Sequence, residues 1–328
     1  MSEDATLFQL GVDVDLPEDE TAEQFEVHCT RLAKIEGISK YTKLRKLVFV
    51  ATGLQEIEGL DENNQLEHLE IYQASISIIK GIANLTKLKS LDLSFNKITK
   101  IECLSSLTQL EKLYLSSNEI KRIEGLDTLI DLKILELGSN EIRVIENIDK
   151  LEKLEELWLG KNKINKMQIS RKFEKLRLLS LQSNRLKEWC NELFINAPSL
   201  QQIYMSNNYL TDIPDEVMKT IPPSVIELDL ASNKLTKVPK FGALTQLKEL
   251  WMNDNNIDDF ESLDNLASCP NLETVYLERN KVQSLVPVEY IRKVKSVCKK
   301  LFQLDAVPVM SLRITEDHHD TIRSILKH

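Results

Sequence analysis

Leucine, isoleucine and valine recur along this chain in the phrase L-x-x-L-x-L-x-x-N-x-L, at a nearly constant interval. Copies begin at Leu44, Leu66, Leu88, Leu110, Leu132, Leu154, Leu176, Leu200, Val225, Leu247 and Leu272. The step is twenty-two residues from Leu44 to Leu176 and lengthens slightly in some later copies. A degenerate copy aligns one step earlier, from Ala22, with Phe25, Val27, Leu32 and Ile35 in the apolar slots. In the copy at Leu88, the apolar Leu88, Leu91 and Leu93 are set against Asp92 and Ser94, which point outward. That alternation is the period of a short strand with one buried face. Asn96 then turns the chain inward, and the slot is filled again by Asn118, Asn140, Asn162, Asn184, Asn208, Asn233, Asn255 and Asn280. A tight turn leaves backbone groups without strand partners, and an amide can both donate to and accept from them. Thr52 and Ala74 hold the slot in two early copies, which predicts a weaker ladder there. Ile98, Ile101, Leu104 and Leu107 follow three apart, the spacing of short 3₁₀ or α turns packing inward.

A repeat of this length and letter order is that of a leucine-rich repeat solenoid. The expected fold is α/β: a curved horseshoe with a parallel β-sheet on the concave face and short 3₁₀ and α turns on the convex face. Each unit buries its apolar face only against its neighbours, so the 328 residues are expected to form one elongated core. Strands about 4.8 Å apart over a dozen units would give an inner face roughly 50 Å long, room for a standard protein interface.

Residues 1–21, with Glu3, Asp4, Asp13, Asp15, Glu18, Asp19 and Glu20, show no repeat phase and are expected to form an acidic, disordered tail. The repeats occupy 22–271, and 272–310 hold the last repeat and a C-terminal cap. In that cap Tyr290, Val294, Val297 and Leu301 have helical spacing and would cover the open edge of the core. Residues 311–328 are expected to be a C-terminal tail or a short helix.

The net charge of −9 and pI near 5.3 argue against duplex nucleic acid as a partner. Cys29, Cys103, Cys190, Cys269 and Cys298 are scattered and form no C-x-x-C pair, which fits a reducing compartment. With no signal-peptide pattern and no apolar run of membrane-spanning length, a nuclear and cytoplasmic protein with no membrane partner is expected. No phosphate-cradling glycine loop, nucleophile elbow or zinc-binding H-E-x-x-H occurs, so neither an enzyme nor a cofactor is expected. His318, His319 and Asp320 read as a solvated tail rather than a metal site. The basic cluster Arg292, Lys293, Lys295, Lys299 and Lys300 reads as the wet side of the cap helix in preference to a nuclear localisation signal.

The positions that carry function are those forced outward from the strands. The central outward slot reads Glu26, Val48, Glu70, Asp92, Tyr114, Glu136, Trp158, Ser180, Tyr204, Asp229, Trp251 and Tyr276. Aromatics are scarce in the chain as a whole, yet five residues of this row are aromatic and five are acidic. Solvent-facing aromatics in a row carry a desolvation cost unless a partner covers them, and such rings anchor protein interfaces. Glu156, Glu227, Glu249, Asp254 and Glu278 lie beside the row, against Lys46, Lys112, Lys161 and Arg279. The face is suited to a partner rich in Lys and Arg.

Several stretches resemble a known family: LELGSNEIRVIENIDKLEKLEELWLGKNKI from Leu135, LQSNRL from Leu181, LDLASNKL from Leu228, LKELWMNDNNIDDFESLDNL from Leu247 and LETVYLERN from Leu272. They are similar to the leucine-rich-repeat regulatory subunit of type-1 serine/threonine protein phosphatase, a mitotic-exit regulator family. The resemblance spans roughly residues 22 to 310, and its specific letters are WMNDN and ETVYLERN, which the fold does not require. It implies a non-catalytic subunit, monomeric on its own, that grips the phosphatase catalytic subunit with its concave face. It also implies a restrained form of the bound enzyme and a further inhibitory subunit in a ternary complex. The matching contact residues are Asp92, Tyr114, Glu136, Trp158, Asp229, Glu249, Trp251 and Tyr276. Two departures stand out: Tyr114 and Trp158 replace the family's usual phenylalanine, and the units between Lys163 and Ser224 are longer, which predicts fuller outer helices there. The alternative class is a scaffold for another intracellular assembly, ciliary, cytoskeletal or spliceosomal.

Overall fold

The structure, a computed structural model, describes residues 7–311 except Gln168 and Ala243. The chain divides into two compact units, Met1–Leu176 and Arg177–His328.

In the first unit the strands β1 (Gln24–His28), β2 (Lys46–Val50), β3 (His68–Tyr72), β4 (Ser90–Asp92), β5 (Lys112–Tyr114) and β6 (Ile134–Glu136) pair in sequence, all parallel. A two-residue strand, β7 (Val144–Ile145), leaves this sheet before β8 (Glu156–Trp158) returns to pair with β6. β7 forms a separate parallel ladder with β9 (Lys166–Met167) on the outer side. In the second unit β10 (Leu178–Ser180), β11 (Gln202–Tyr204), β12 (Glu227–Asp229), β13 (Glu249–Trp251) and β14 (Thr274–Tyr276) repeat the parallel pattern. The short β15 (Gln303–Leu304) adds in parallel to β14, and β16 (Val307–Pro308) folds back on it antiparallel.

The leucines of the phrase fill the interior, with Leu88, Leu91, Leu93, Leu247 and Leu250 without solvent exposure. Strands are short because each turn needs only enough extended backbone to place two inward side chains before the chain bends. The bend is made by the residue ahead of each asparagine. Phe95, Ser117, Ser139 and Lys161 in the first unit, and Ser183, Asn207, Ser232, Asp254 and Arg279 in the second, all have φ between 52 and 58°. Left-handed backbone is unfavourable for most of these residue types, Asn207 and Asp254 excepted, so the surrounding bonds must hold it.

The asparagine ladder supplies those bonds. Asn118 Nδ2 donates to Leu93 O at 3.0 Å in the preceding repeat and to Leu115 O at 3.0 Å in its own, while Oδ1 accepts from Ile98 N at 2.9 Å. Asn96, Asn140, Asn162, Asn208, Asn233, Asn255 and Asn280 repeat this set. The expected weakness near the amino end is visible at Thr52, whose Oγ1 is buried without a hydrogen-bond partner.

On the outer side, consecutive turns such as Ile82–Leu85 and Leu85–Leu88 take the place of helices in the first unit. The longer repeats of the second unit form α1 (Asn191–Asn196) and α2 (Asp215–Met218), as their length predicts, and a 3₁₀ helix spans Glu261–Ser268. Two more helices, α3 (Lys281–Leu285) and α4 (Pro287–Val297), follow β14, and α4 buries Tyr290, Ile291 and Val294. Its Lys293 Nζ pairs with Asp264 at 2.6 Å, and just beyond the helix Lys300 Nζ donates to Asn271 at 2.6 Å.

Residues 7–21 differ from the expected disordered tail. Phe8 N donates to Arg31 O at 2.7 Å, Phe8 O accepts from Ala33 N at 3.0 Å, and Tyr41 hydroxyl donates to Pro17 O at 2.6 Å. Leu10 is buried. The few apolar residues among the acids are enough to dock this segment on the first repeat. Residues 1–6 of that tail, residues 312–328 and the His318, His319 and Asp320 trio lie outside the described residues. Among the described residues no helix is long and apolar enough to cross a membrane, and no cluster of His, Cys, Asp or Glu is arranged to hold a metal.

Candidate functional site on the strand faces

Parallel register decides which outward side chains become neighbours. In the first unit Glu26, Val48, Glu70, Asp92, Tyr114, Glu136 and Trp158 are consecutive partners across β1 to β6 and β8. In the second, Ser180, Tyr204, Asp229, Trp251 and Tyr276 are consecutive partners across β10 to β14. The eight contact residues named from sequence therefore lie in two rows: Asp92, Tyr114, Glu136 and Trp158 on one unit, Asp229, Trp251 and Tyr276 on the other, with Glu249 two positions before Trp251. All eight are half-buried, flanked by their neighbours yet open to solvent.

Two slots of the row do not face solvent. Val48 is 3% exposed and Ser180 0%, with Ser180 Oγ donating to Gln182. A small side chain between longer neighbours is covered by them, so alternation alone overstates exposure.

Many of the polar groups are fixed before any partner arrives. Asp92 accepts from Ser94 N at 2.8 Å, and Asp229 accepts from Ala231 N at 3.0 Å. Ser116 donates to Glu136 at 2.6 Å, and the Trp158 indole N–H donates to Glu156 at 3.0 Å. Trp251 and Tyr276 stack with centroids 6.2 Å apart and planes at 21°. Gln303 Nε2 donates to the Tyr276 hydroxyl, so β15 steadies the end of the second row.

The electrostatics are those of crowded anions. Burial raises the Asp229 carboxyl above its ordinary value against the pull of the Ser206 hydroxyl and the Ala231 amide. Burial also raises Glu249, reinforced by Glu227 and Glu273 and opposed by Lys248. The Tyr114 hydroxyl rises for the same reasons, burial first and then Glu136 and Asp92. Two of the cations set against this charge are already engaged. Lys46 pairs with Glu26 at 2.6 Å, and Arg279 is shared by Asp254 and Glu278, which raises its own pKa and lowers that of Asp254. A cationic group from outside would relieve the remaining repulsion.

Sequence reading missed one aromatic. Phe95, 47% exposed, sits at the left-handed position after β4 and meets Tyr72 with centroids 4.9 Å apart. The same position is Ser117, Ser139 and Lys161 in the following repeats, so no periodic signal marks it.

Comparisons with known proteins fit the fold. The family "Leucine Rich repeats (2 copies)" matches residues 86–128 and 223–265, one stretch in each unit. Protein phosphatase 1 regulatory subunit SDS22 of Schizosaccharomyces pombe is 39% identical over 64 residues, 19% of this chain and 19% of that protein. Podocan of Mus musculus is 34% identical over 77 residues, 23% of this chain and 12% of that protein. The matched stretches thus span far less than two thirds of these relatives. Among solved structures, an internalin (inlF) from Listeria monocytogenes superposes with a TM-score of 0.69 at 22% identity, covering 88% of both chains. An APL1 leucine-rich repeat domain gives 0.67 at 23% identity over 80% of this chain and 69% of that one. At such identities the structural likeness establishes the solenoid and nothing of its partners.

Proposed function

We propose that this leucine-rich-repeat protein is a non-catalytic regulatory subunit that binds the catalytic subunit of type-1 serine/threonine protein phosphatase through its strand faces. The observation that carries the reading is the in-register row of acids and aromatics, ending in the Trp251–Tyr276 stack. Rings held in a row supply flat apolar area, and half-buried carboxylates beside them favour Lys and Arg on the opposing surface. The short match to a relative named as a phosphatase 1 regulatory subunit supports the same partner, as do the WMNDN and ETVYLERN letters.

In this reading Asp92, Tyr114, Glu136 and Trp158 form one contact set and Asp229, Glu249, Trp251 and Tyr276 the other. The pre-formed hydrogen bonds of Asp92, Glu136 and Asp229 reduce the ordering cost of association. The protein works in the nucleus and cytoplasm, where a further inhibitory subunit joins the complex.

The test is co-elution of the purified chain with purified phosphatase catalytic subunit in gel filtration with light scattering. A one-to-one complex is expected. Separate elution at micromolar concentrations of both would end this reading.

A further inference from the structure

The two longer repeats of the second unit enclose a cleft on their outer side, away from the strand face. Its volume is about 360 Å³, and its walls are the segment 187–192 leading into α1 and the segment 211–217 running into α2. The indole of Trp189 is fixed there, its N–H donating to Thr211 O at 3.0 Å, so one ring face is held in place beside the cleft. Val217 is buried at the base.

The charge of the lining is one-sided: Glu188, Glu192, Asp212 and Glu216 stand against the single Lys187. Asp212 is already used, accepting from Thr236 N at 2.7 Å and from the Thr236 hydroxyl at 2.6 Å. Glu188, Glu192 and Glu216 are exposed at the rim. Asn191 also lines the cleft, and its Oδ1 is buried and has no hydrogen-bond partner. A buried acceptor without a donor costs free energy that a donor arriving from outside would recover.

We propose that this cleft binds an arginine side chain presented by an extended segment of a partner protein. A guanidinium answers each feature of the lining. Its flat face lies over an indole, its charge offsets the rim carboxylates, and its fork of N–H donors can serve Asn191 Oδ1 and a carboxylate together. A lysine ammonium supplies the charge without the planar fork. The site is independent of the phosphatase reading, since none of its residues belongs to the strand faces.

The test uses the full chain labelled with ¹⁵N at its three tryptophans, whose indole N–H signals report Trp158, Trp189 and Trp251 separately. Trp189→Phe assigns the signal. The probe is a capped pentapeptide of alanines with a central arginine, compared with the same peptide carrying lysine or neutral citrulline. The arginine peptide should shift the Trp189 signal with half-saturation in the millimolar range, and leave Trp158 and Trp251 unmoved. Citrulline should give no shift at equal concentration, and the combined Glu188→Gln, Glu192→Gln and Glu216→Gln variant should weaken arginine binding at least tenfold. Those three side chains are exposed, so the variant keeps the fold, which the unchanged Trp158 and Trp251 signals verify. An unmoved Trp189 signal, an equal response to citrulline, or full affinity in the triple variant overturns the site. Equal binding of the lysine peptide overturns its assignment to a guanidinium.

Discussion

Trp251 and Tyr276, on adjacent parallel strands, stack with centroids 6.2 Å apart and planes 21° from parallel. The contact joins two rings that would otherwise lose rotamer freedom separately on binding, and it leaves one extended apolar surface beside Glu249. Trp251→Ala should weaken phosphatase binding by about 2 kcal/mol or more, and Glu249→Ala by a similar amount, because central aromatics and the charges they shield dominate such interfaces. Calorimetric titration of the two variants checks this. Unchanged affinity in both, with thermal melting also unchanged, would remove the strand face from the contact.

Asn140→Ala tests the ladder. Its amide donates to Leu115 O at 2.9 Å and Leu137 O at 3.0 Å and accepts from Ile120 N at 3.0 Å. Alanine leaves these buried groups unpaired, at a cost of about 3 kcal/mol. Urea denaturation should show the loss as a lower midpoint, while a surface control such as Lys121→Ala should stay within about 0.5 kcal/mol.

Gly81 shows where the outer turns allow no side chain. Its φ is +71°, and a Cβ there would lie 2.1 Å from Ile57 O in the preceding repeat. Gly81→Ala should therefore destabilise by more than the ~1–2 kcal/mol of left-handed strain alone. Gly53, at φ +70° with open space around the Cβ position, is the control for which strain alone should appear. Equal melting temperatures for the two variants would contradict the steric account.

Asp305 predicts a pH dependence of the carboxy-terminal cap. It accepts from Leu277 N at 2.8 Å, from Glu278 N at 2.9 Å and from the Tyr290 hydroxyl at 3.0 Å, and burial pushes its carboxyl up to about 6. The unfolded chain has an ordinary value of ~3.9, so between the two the folded state holds the extra proton. Stability from this group is greatest below about pH 4 and falls as pH rises to about 6, by roughly 2–3 kcal/mol in all. Asp305→Asn keeps the shape without the titration. Its stability relative to the parent should increase from pH 4 to pH 6.5 in paired melting curves, and a constant difference would show that Asp305 does not titrate in this window.

The repeat, its strands and the asparagine ladder were legible because each follows from a letter pattern that only one backbone path satisfies. The slots of Asp92, Trp158, Asp229 and Trp251 followed in turn, since register is fixed once the inward leucines are placed. What could not be read depends on neighbours rather than period. The burial of Val48 and Ser180 is set by longer side chains on adjacent strands, and Phe95 occupies a position whose other occupants are mostly polar. The docking of residues 7–21 rests on a few apolar residues in an acidic stretch, too few to stand out from composition. Asp305 is likewise silent in sequence, because its role comes from a turn the repeat does not contain.

The asparagines reach in one direction. Asn96 serves Ile71 and Ile76, Asn118 serves Leu93 and Ile98, and Asn280 serves Met252 and Ile257, in each case the repeat before its own. Each turn followed by one of these asparagines therefore takes part of its satisfaction from the unit after it. Losing a trailing repeat leaves backbone groups such as Leu93 O and Ile98 N without these partners, whereas losing a leading repeat takes the donor from the asparagine Oδ1 but leaves its bond to its own turn, as at Leu115 O for Asn118. The turn after β14 has no asparagine repeat behind it, and the buried carboxyl of Asp305 takes that place by accepting from Leu277 N and Glu278 N.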